Sequence, residues 1–187
     1  SEELDYRREA DNIAEFARRF AGHPWVRIPT LAPELSSARV LTTEWVEGLS
    51  WDQFVASAAP ATKQRVGEVI WRFAQYSVQH LGMFNGDPHP GNYRFHHDGS
   101  VTFLDFGLVK RWEPGEWQQL EPSLDAIVVH RDPERLVTAM EEVGFLRTGH
   151  DLDPQAVFDY VSAPYRPYLV DEFTFTRDWM RDTLSRI

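Results

Sequence analysis

The sequence contains no cysteine. That excludes disulfides and thiolate metal sites and permits a reducing compartment; the expected location is cytoplasmic. Positive charge is scarce as well: 19 Lys and Arg stand against 29 Asp and Glu, for a net charge of −10. Nucleic-acid binding needs clustered cations to neutralise phosphates, so that class of partner is excluded. An anionic membrane surface is disfavoured less, because a local basic patch would suffice for peripheral association. No apolar run approaches the ~18 residues of a transmembrane segment, and no signal peptide is visible. Internal repeats, low-complexity tracts and obvious linkers are missing too. The chain opens on a charged helical pattern without an initiator Met and reads as a processed or excised piece. Its 187 residues suit one domain, or one large lobe of a bigger one.

What is present is mostly helical. Ile13, Phe16, Ala17 and Phe20 recur at helical spacing and predict a helix over residues 3–21, stopped by Gly22. Arg39 to Val46 is rich in β-branched and aromatic residues and predicts a strand that ends at Glu47-Gly48. Ser50 is the expected cap of a short helix. Thr62 is expected to open a long amphipathic helix carrying Val66, Val69, Ile70 and Phe73, with Gly82 at its end. A loop dense in Gly, Pro, Asp and Asn runs from Phe84 to Asn92. Asp98-Gly99 between Tyr93–Phe95 and Val101–Leu104 is a hairpin signal. After Gly107 the pattern is helical, with Asp132-Pro133 and Asp153-Pro154 as capping pairs and Thr176 before a last helix. The fold class is α+β, mostly α.

The chemistry concentrates in two short stretches, Asn85-Gly86-Asp87-Pro88-His89-Pro90-Gly91-Asn92 and Asp105-Phe106-Gly107. Asp87 and Asn92 have the spacing of a kinase catalytic loop, and Asp105-Phe106-Gly107 would supply a metal-binding carboxylate before a flexible glycine. Phosphoryl transfer brings a polyanion to a nucleophile, so its catalysis is mainly positioning and charge neutralisation. A carboxylate facing triphosphate makes sense only with Mg²⁺ between them. Asn92 offers a neutral oxygen to a second ion, and Asp87 can orient a hydroxyl or water and accept its proton. Taken singly, each part has a plain explanation: Asp-Phe-Gly is common in turns, and a Pro, Gly, Asp and Asn cluster is ordinary turn chemistry. Their order decides the matter: long helix, Asp and Asn, hairpin, then Asp-Phe-Gly. His96 and His97 fall in the expected exposed hairpin turn. Neighbours on a strand face opposite sides, which disfavours a shared metal. His89 is expected to brace its loop by hydrogen bonding. Trp112 and Trp117 suit a core or a groove equally.

Asp87-Pro88-His89-Pro90-Gly91-Asn92 resembles the catalytic-loop motif of the UbiB/AarF atypical kinases, H-A-D-P-H-P-G-N. Glu3-Leu4-Asp5 is similar to that family's E-x-D element, and Glu9-Ala10-Asp11-Asn12 to its E-A-x-N. Val40 to Gly48 resembles its hinge strand, V-L-x-x-E-x-x-x-G. The likeness is specific from Glu3 to about Lys110. It implies a protein-kinase-like C-terminal lobe over residues 49–187, with residues 1–48 a remnant of the small lobe comprising the long helix and the strands to the hinge. ATP and Mg²⁺ are the implied cofactors, with Asp87 catalytic and Asn92 and Asp105 the metal ligands. Glu9 would pair with a nucleotide-binding Lys, and backbone groups near Glu44 and Val46 would face the adenine. Glu3 and Asp5 would engage a family-specific extension, while His89, Phe106 and Gly107 would support the loops. An acidic first turn also stabilises any helix N-terminus, which is the simpler account of Glu3, Asp5 and Glu9.

Asn85-Gly86 departs from the usual His-Ala. The Gly- or Ala-rich nucleotide loop, the strand Lys and the K-x-G-Q extension are not among these residues, so the chain alone is expected to turn over ATP negligibly. The resemblance implies a kinase or ATPase linked to isoprenoid-quinone or lipid metabolism, with a lipid or quinone-pathway component as partner. Two alternatives stand beside it. One is a small-molecule phosphotransferase of the aminoglycoside/choline-kinase type, whose H-G-D-L-H-P-G-N motif is also similar. The other is a non-catalytic pseudokinase regulator.

Overall fold

The structure, a computed structural model, describes residues 6–113 and 115–184. Glu3 and Asp5 lie outside the described residues. The fold is α+β and mostly helical, and the chain divides into two compact units, Ser1–Arg111 and Trp112–Ile187.

The first unit begins with α1 (Tyr6–Arg19), whose buried face carries Asn12, Ile13 and Phe16. The short β1 (Val26–Arg27) follows. The expected strand over Arg39–Val46 does not form a ladder. Its chain is held by isolated bridges, Leu31 to Thr43 and Ser37 to Val40. The reason is local competition. Two N–H groups that a ladder would use, those of Thr30 and Thr42, donate instead to Glu44 Oε1 at 3.0 Å and Ser36 Oγ at 3.0 Å. Pro29 and Pro33 on the facing segment have no N–H to offer.

Helix α2 (Trp51–Ser57) starts at a full capping box, in which Ser50 accepts from Gln53 and Gln53 answers to the Ser50 backbone. The long α3 (Pro60–Leu81) begins two residues before Thr62, because Pro60 fits a first turn where no N–H is needed. It stops at Gly82, which takes the left-handed conformation at φ 62°. Beyond it come β2 (Met83–Asn85), β3 (Tyr93–Phe95), β4 (Val101–Phe103) and β5 (Val109–Arg111). The hairpin of β3 and β4 forms as expected, with β1 parallel to β4. Two readings need correction: Phe84 and Asn85 belong to a strand rather than a loop, and the chain after Gly107 passes through β5 before turning helical. These three-residue strands are too short to show alternation, and only their mutual pairing defines them. Phe16, Phe20, Phe73, Phe103 and Phe106 form the aromatic centre of the core, with Phe73 stacked on Phe103 at 3.8 Å.

In the second unit α4 (Glu116–Asp125) runs into a π-helical turn, Ala126–His130, closed by Arg131 at φ 53°. Helices α5 (Pro133–Glu142) and α6 (Pro154–Val161) start at Asp132 and Asp153, each capping free N–H groups as the sequence predicts. After α7 (Arg166–Leu169), Thr176 caps α8 (Arg177–Leu184) through the Trp179 N–H at 3.1 Å. Ala126, Ile127, Leu136, Val137 and Val157 make this unit's own core.

Candidate active site

Two antiparallel ladders bring the two chemical stretches together. The loop 86–92 leaves β2 and enters β3; the loop 104–108 leaves β4 and enters β5. Because β2 pairs with β5 and β3 pairs with β4, both ends of one loop are tied to both ends of the other. The ties continue into the loops: Gly86 N–H donates to Leu108 C=O and Leu104 N–H to Asn92 C=O, both at 2.8 Å. The loops have little freedom to part.

Within this frame Asn92 Nδ2 donates to Asp87 Oδ2 at 2.9 Å, and the His89 N–H reaches Asp87 Oδ1 at 3.3 Å. With its amino group so engaged, Asn92 has its Oδ1 to offer a cation. His89 Nδ1 accepts from the Gly91 N–H at 3.0 Å and shapes the turn between Asp87 and Asn92. Asn85 bridges the loops, donating to Asp105 C=O at 2.7 Å and accepting from the Asp87 N–H at 3.3 Å. Its place in the motif marks it only as a departure from His, so the bridge is visible in the structure alone.

Asp105 Oδ1 accepts the Gly107 N–H at 2.9 Å. Glu9, from α1, accepts the Phe106 N–H at 3.4 Å. A Cβ built on Gly107 would lie 3.4 Å from both Asp105 Oδ1 and Glu9 Oε2, so the two carboxylates flank one small space that a side chain would begin to fill. Burial, and then the charge of Asp105, raise the Glu9 carboxyl above its ordinary range, while the Phe106 N–H pulls the other way. Phe106 itself is fully buried and anchors the loop. The Tyr93 hydroxyl is pushed up to about 12 by burial and by the charge of Asp87, and so stays neutral next to Asn92.

Glu9, Asp87, Asn92 and Asp105 are therefore gathered in one region. Glu44 and Val46 lie elsewhere, lining a shallow pocket of about 220 Å³ with Arg27, Trp45, His96 and Thr102. The Glu44 carboxylate there accepts from the Thr30 N–H at 3.0 Å, while Trp45 of the same segment is exposed. His96 is half-buried rather than exposed, because its Nε2 meets Thr102 Oγ1 at 2.8 Å across the hairpin. Asn12, which sequence reasoning left without a role, donates to Phe106 C=O at 2.9 Å. Its place in the E-A-x-N match and its polarity amid the apolar stripe Ile13, Phe16 and Phe20 were the available signals.

A family model described as the ABC1 atypical kinase-like domain matches residues 1–140. Among curated proteins, the chain is 31% identical over 157 residues to the uncharacterized protein slr1919 of Synechocystis, covering 82% of this chain and 27% of that protein. It is 33% identical over 162 residues to the chloroplastic protein Activity of bc1 complex kinase 1 of Arabidopsis thaliana, covering 82% and 22%. Among solved structures, Rv3197 of Mycobacterium tuberculosis, in its complex with erythromycin, is similar with a TM-score of 0.78 and 26% identity, over 97% of this chain and 46% of that one. The chain thus spans about a quarter of the length of these curated relatives.

Proposed function

We propose a function from one fact: this chain belongs to the ABC1 atypical kinase-like family, also written ABC1/UbiB/AarF. It forms part of an ATP- and Mg²⁺-dependent kinase or ATPase, and the family resemblance makes isoprenoid-quinone or lipid metabolism the setting of its acceptor. In this reading residues 1–48 belong to the small lobe and residues 49–187 to the large one. One observation carries the reading: Asp87 and Asn92 are hydrogen-bonded to each other through their side chains, and the Asp87 N–H is tied through Asn85 to the Asp105 C=O.

The donor set suits magnesium. Mg²⁺ is commonly held by one or two carboxylates together with substrate phosphates, not by an all-protein cage, and Asp105 with Asn92 Oδ1 has that composition. The mutual repulsion of Glu9 and Asp105 is a second argument, since a cation near them would relieve it. Bound there, Mg²⁺ would neutralise phosphate charge. The chain's own residues do the remaining work. Asp87 orients the acceptor hydroxyl or water and takes its proton, and Asn92 holds the Asp87 carboxylate in place for that task. Glu9 receives a nucleotide-binding Lys, and the main chain at Glu44 and Val46 meets the adenine.

The test is nucleotide binding and turnover in the full-length protein. Asp105→Asn should abolish Mg²⁺-dependent ATP binding. Asp87→Asn should lower kcat by about 10²–10⁴ while leaving nucleotide affinity nearly unchanged. The 187 residues alone should show negligible turnover. Undiminished turnover in the Asp105→Asn protein would remove the metal-assisted reading altogether.

A further inference from the structure

Helix α1 grips a single residue of the metal loop at three points. Glu9 Oε1 accepts the Phe106 N–H at 3.4 Å, and Asn12 Nδ2 donates to the Phe106 C=O at 2.9 Å. One turn further on, the Phe16 ring meets the Phe106 ring with centroids 4.8 Å apart. Residues 9, 12 and 16 share a helix face, so a straight helix can make all three contacts at once.

Asn12 is the unexpected member. Only 8% exposed, it occupies a position where an apolar residue would pack without any polar group to satisfy. Both ends of its amide are used: Oδ1 accepts from Arg111 Nη2 at 2.9 Å, and Arg111 also reaches Glu15 at 3.0 Å. The other main-chain groups of the loop have different holders. Asn85 takes the Asp105 C=O, and Gly86 takes the Leu108 C=O.

The Phe106 C=O and the Gly107 N–H are opposite ends of one peptide unit, and a peptide unit is planar and rigid. Asn12 fixes the carbonyl end. The amide end is the group that holds Asp105 Oδ1 at 2.9 Å. Fixing one end therefore sets the direction of the other, and with it the orientation of the carboxylate.

We propose that Asn12 is a positioning residue for Asp105, acting through the Phe106–Gly107 peptide plane and making α1 and the metal-binding carboxylate move as one body. The inference deepens, and rests on, the reading of Asp105 as a ligand of nucleotide-bound magnesium.

Two variants of the full-length protein test it. Asn12→Asp removes the donor and sets an oxygen against the carbonyl; Asn12→Ser removes the reach without adding charge. In the nucleotide-free protein, hydrogen exchange at the Gly107 and Phe106 amides should quicken about tenfold, the loss of roughly one hydrogen bond. With ATP present, the half-saturating Mn²⁺ concentration, read by electron paramagnetic resonance, should rise several-fold, while ATP affinity without metal stays within about twofold. A merely structural role would instead lower Tm and speed exchange along all of α1 with the Mn²⁺ midpoint unmoved. That pattern, or unchanged exchange at Gly107 in both variants, overturns the proposal. Failure of the wild-type protein to take up Mn²⁺ with ATP would instead strike the functional reading beneath it, and is seen without any variant.

Discussion

Asn85 shows how much a single side chain decides at this site. One amide reaches both loops, accepting from the Asp87 N–H and donating to the Asp105 C=O, so a residue that carries no charge adds a side-chain bridge to the main-chain ties between the two carboxylate-bearing loops. Glu9 works differently, because it is held where its charge is unfavourable. A carboxyl with a raised pKa binds its proton more tightly in the folded chain than in the unfolded one. Its ionisation therefore costs stability at neutral pH, and that cost disappears as the pH falls through the raised value toward the ordinary 4.5. Glu9→Gln keeps an oxygen for the Phe106 N–H but removes the charge. In these 187 residues taken alone, without the Lys that Glu9 is proposed to receive, it should raise Tm at pH 7, and the gain should shrink toward zero near pH 4.5. A Tm difference that does not vary with pH would show that Glu9 is not strained by its surroundings.

At the scale of elements, the helix starts of the second unit follow from local chemistry. Asp132 accepts from the Glu134 and Arg135 N–H groups at 3.0 and 3.1 Å, and Asp153 from the Ala156 N–H at 3.2 Å. Each is followed by a proline that needs no donor of its own. Asp132→Ala and Asp153→Ala should each cost about 1 kcal/mol in denaturant unfolding, and Asn at either position should recover most of it. Helices α2 and α8 were legible for the same reason, since a cap acts within three residues of itself. The Gly82 stop was legible as well. Strands were not. Arg39–Val46 has the composition of a strand, yet Glu44 and Ser36 divert its ladder bonds. Met83–Asn85 and Val109–Arg111 have no such composition, and become strands because the paired β3 and β4 between them bring them side by side.

At the scale of the whole molecule, each unit has its own core. Phe16, Phe73, Phe103 and Phe106 belong to the first, and Ile127, Leu136 and Val157 to the second. All the residues gathered around Asp105 come from the first unit. Leu136 is fully buried, so Leu136→Ala should cost about 2–5 kcal/mol. The faster hydrogen exchange that results should be confined to residues 112–184, with the amides around Asp105 unaffected. Exchange that quickens equally in α1 and β4 would show instead that the two cores unfold as one.

The sequence by itself determined what depends on near neighbours along the chain: the mostly helical character, the helix caps, the hairpin at Asp98-Gly99 and the motif that places Asp87 five residues before Asn92. It also carried enough of the family's pattern to single out Asp105 as a candidate metal ligand. Tertiary structure decided which side chains meet across 94 and 97 residues of separation, Asn12 and Glu9 with Phe106, and how Asn85 reaches Asp105 across 20. The physical reason is one of range. Capping and turn formation are settled within a few residues, whereas the worth of a buried amide or carboxylate depends on partners that only the completed packing of α1 against the strands supplies.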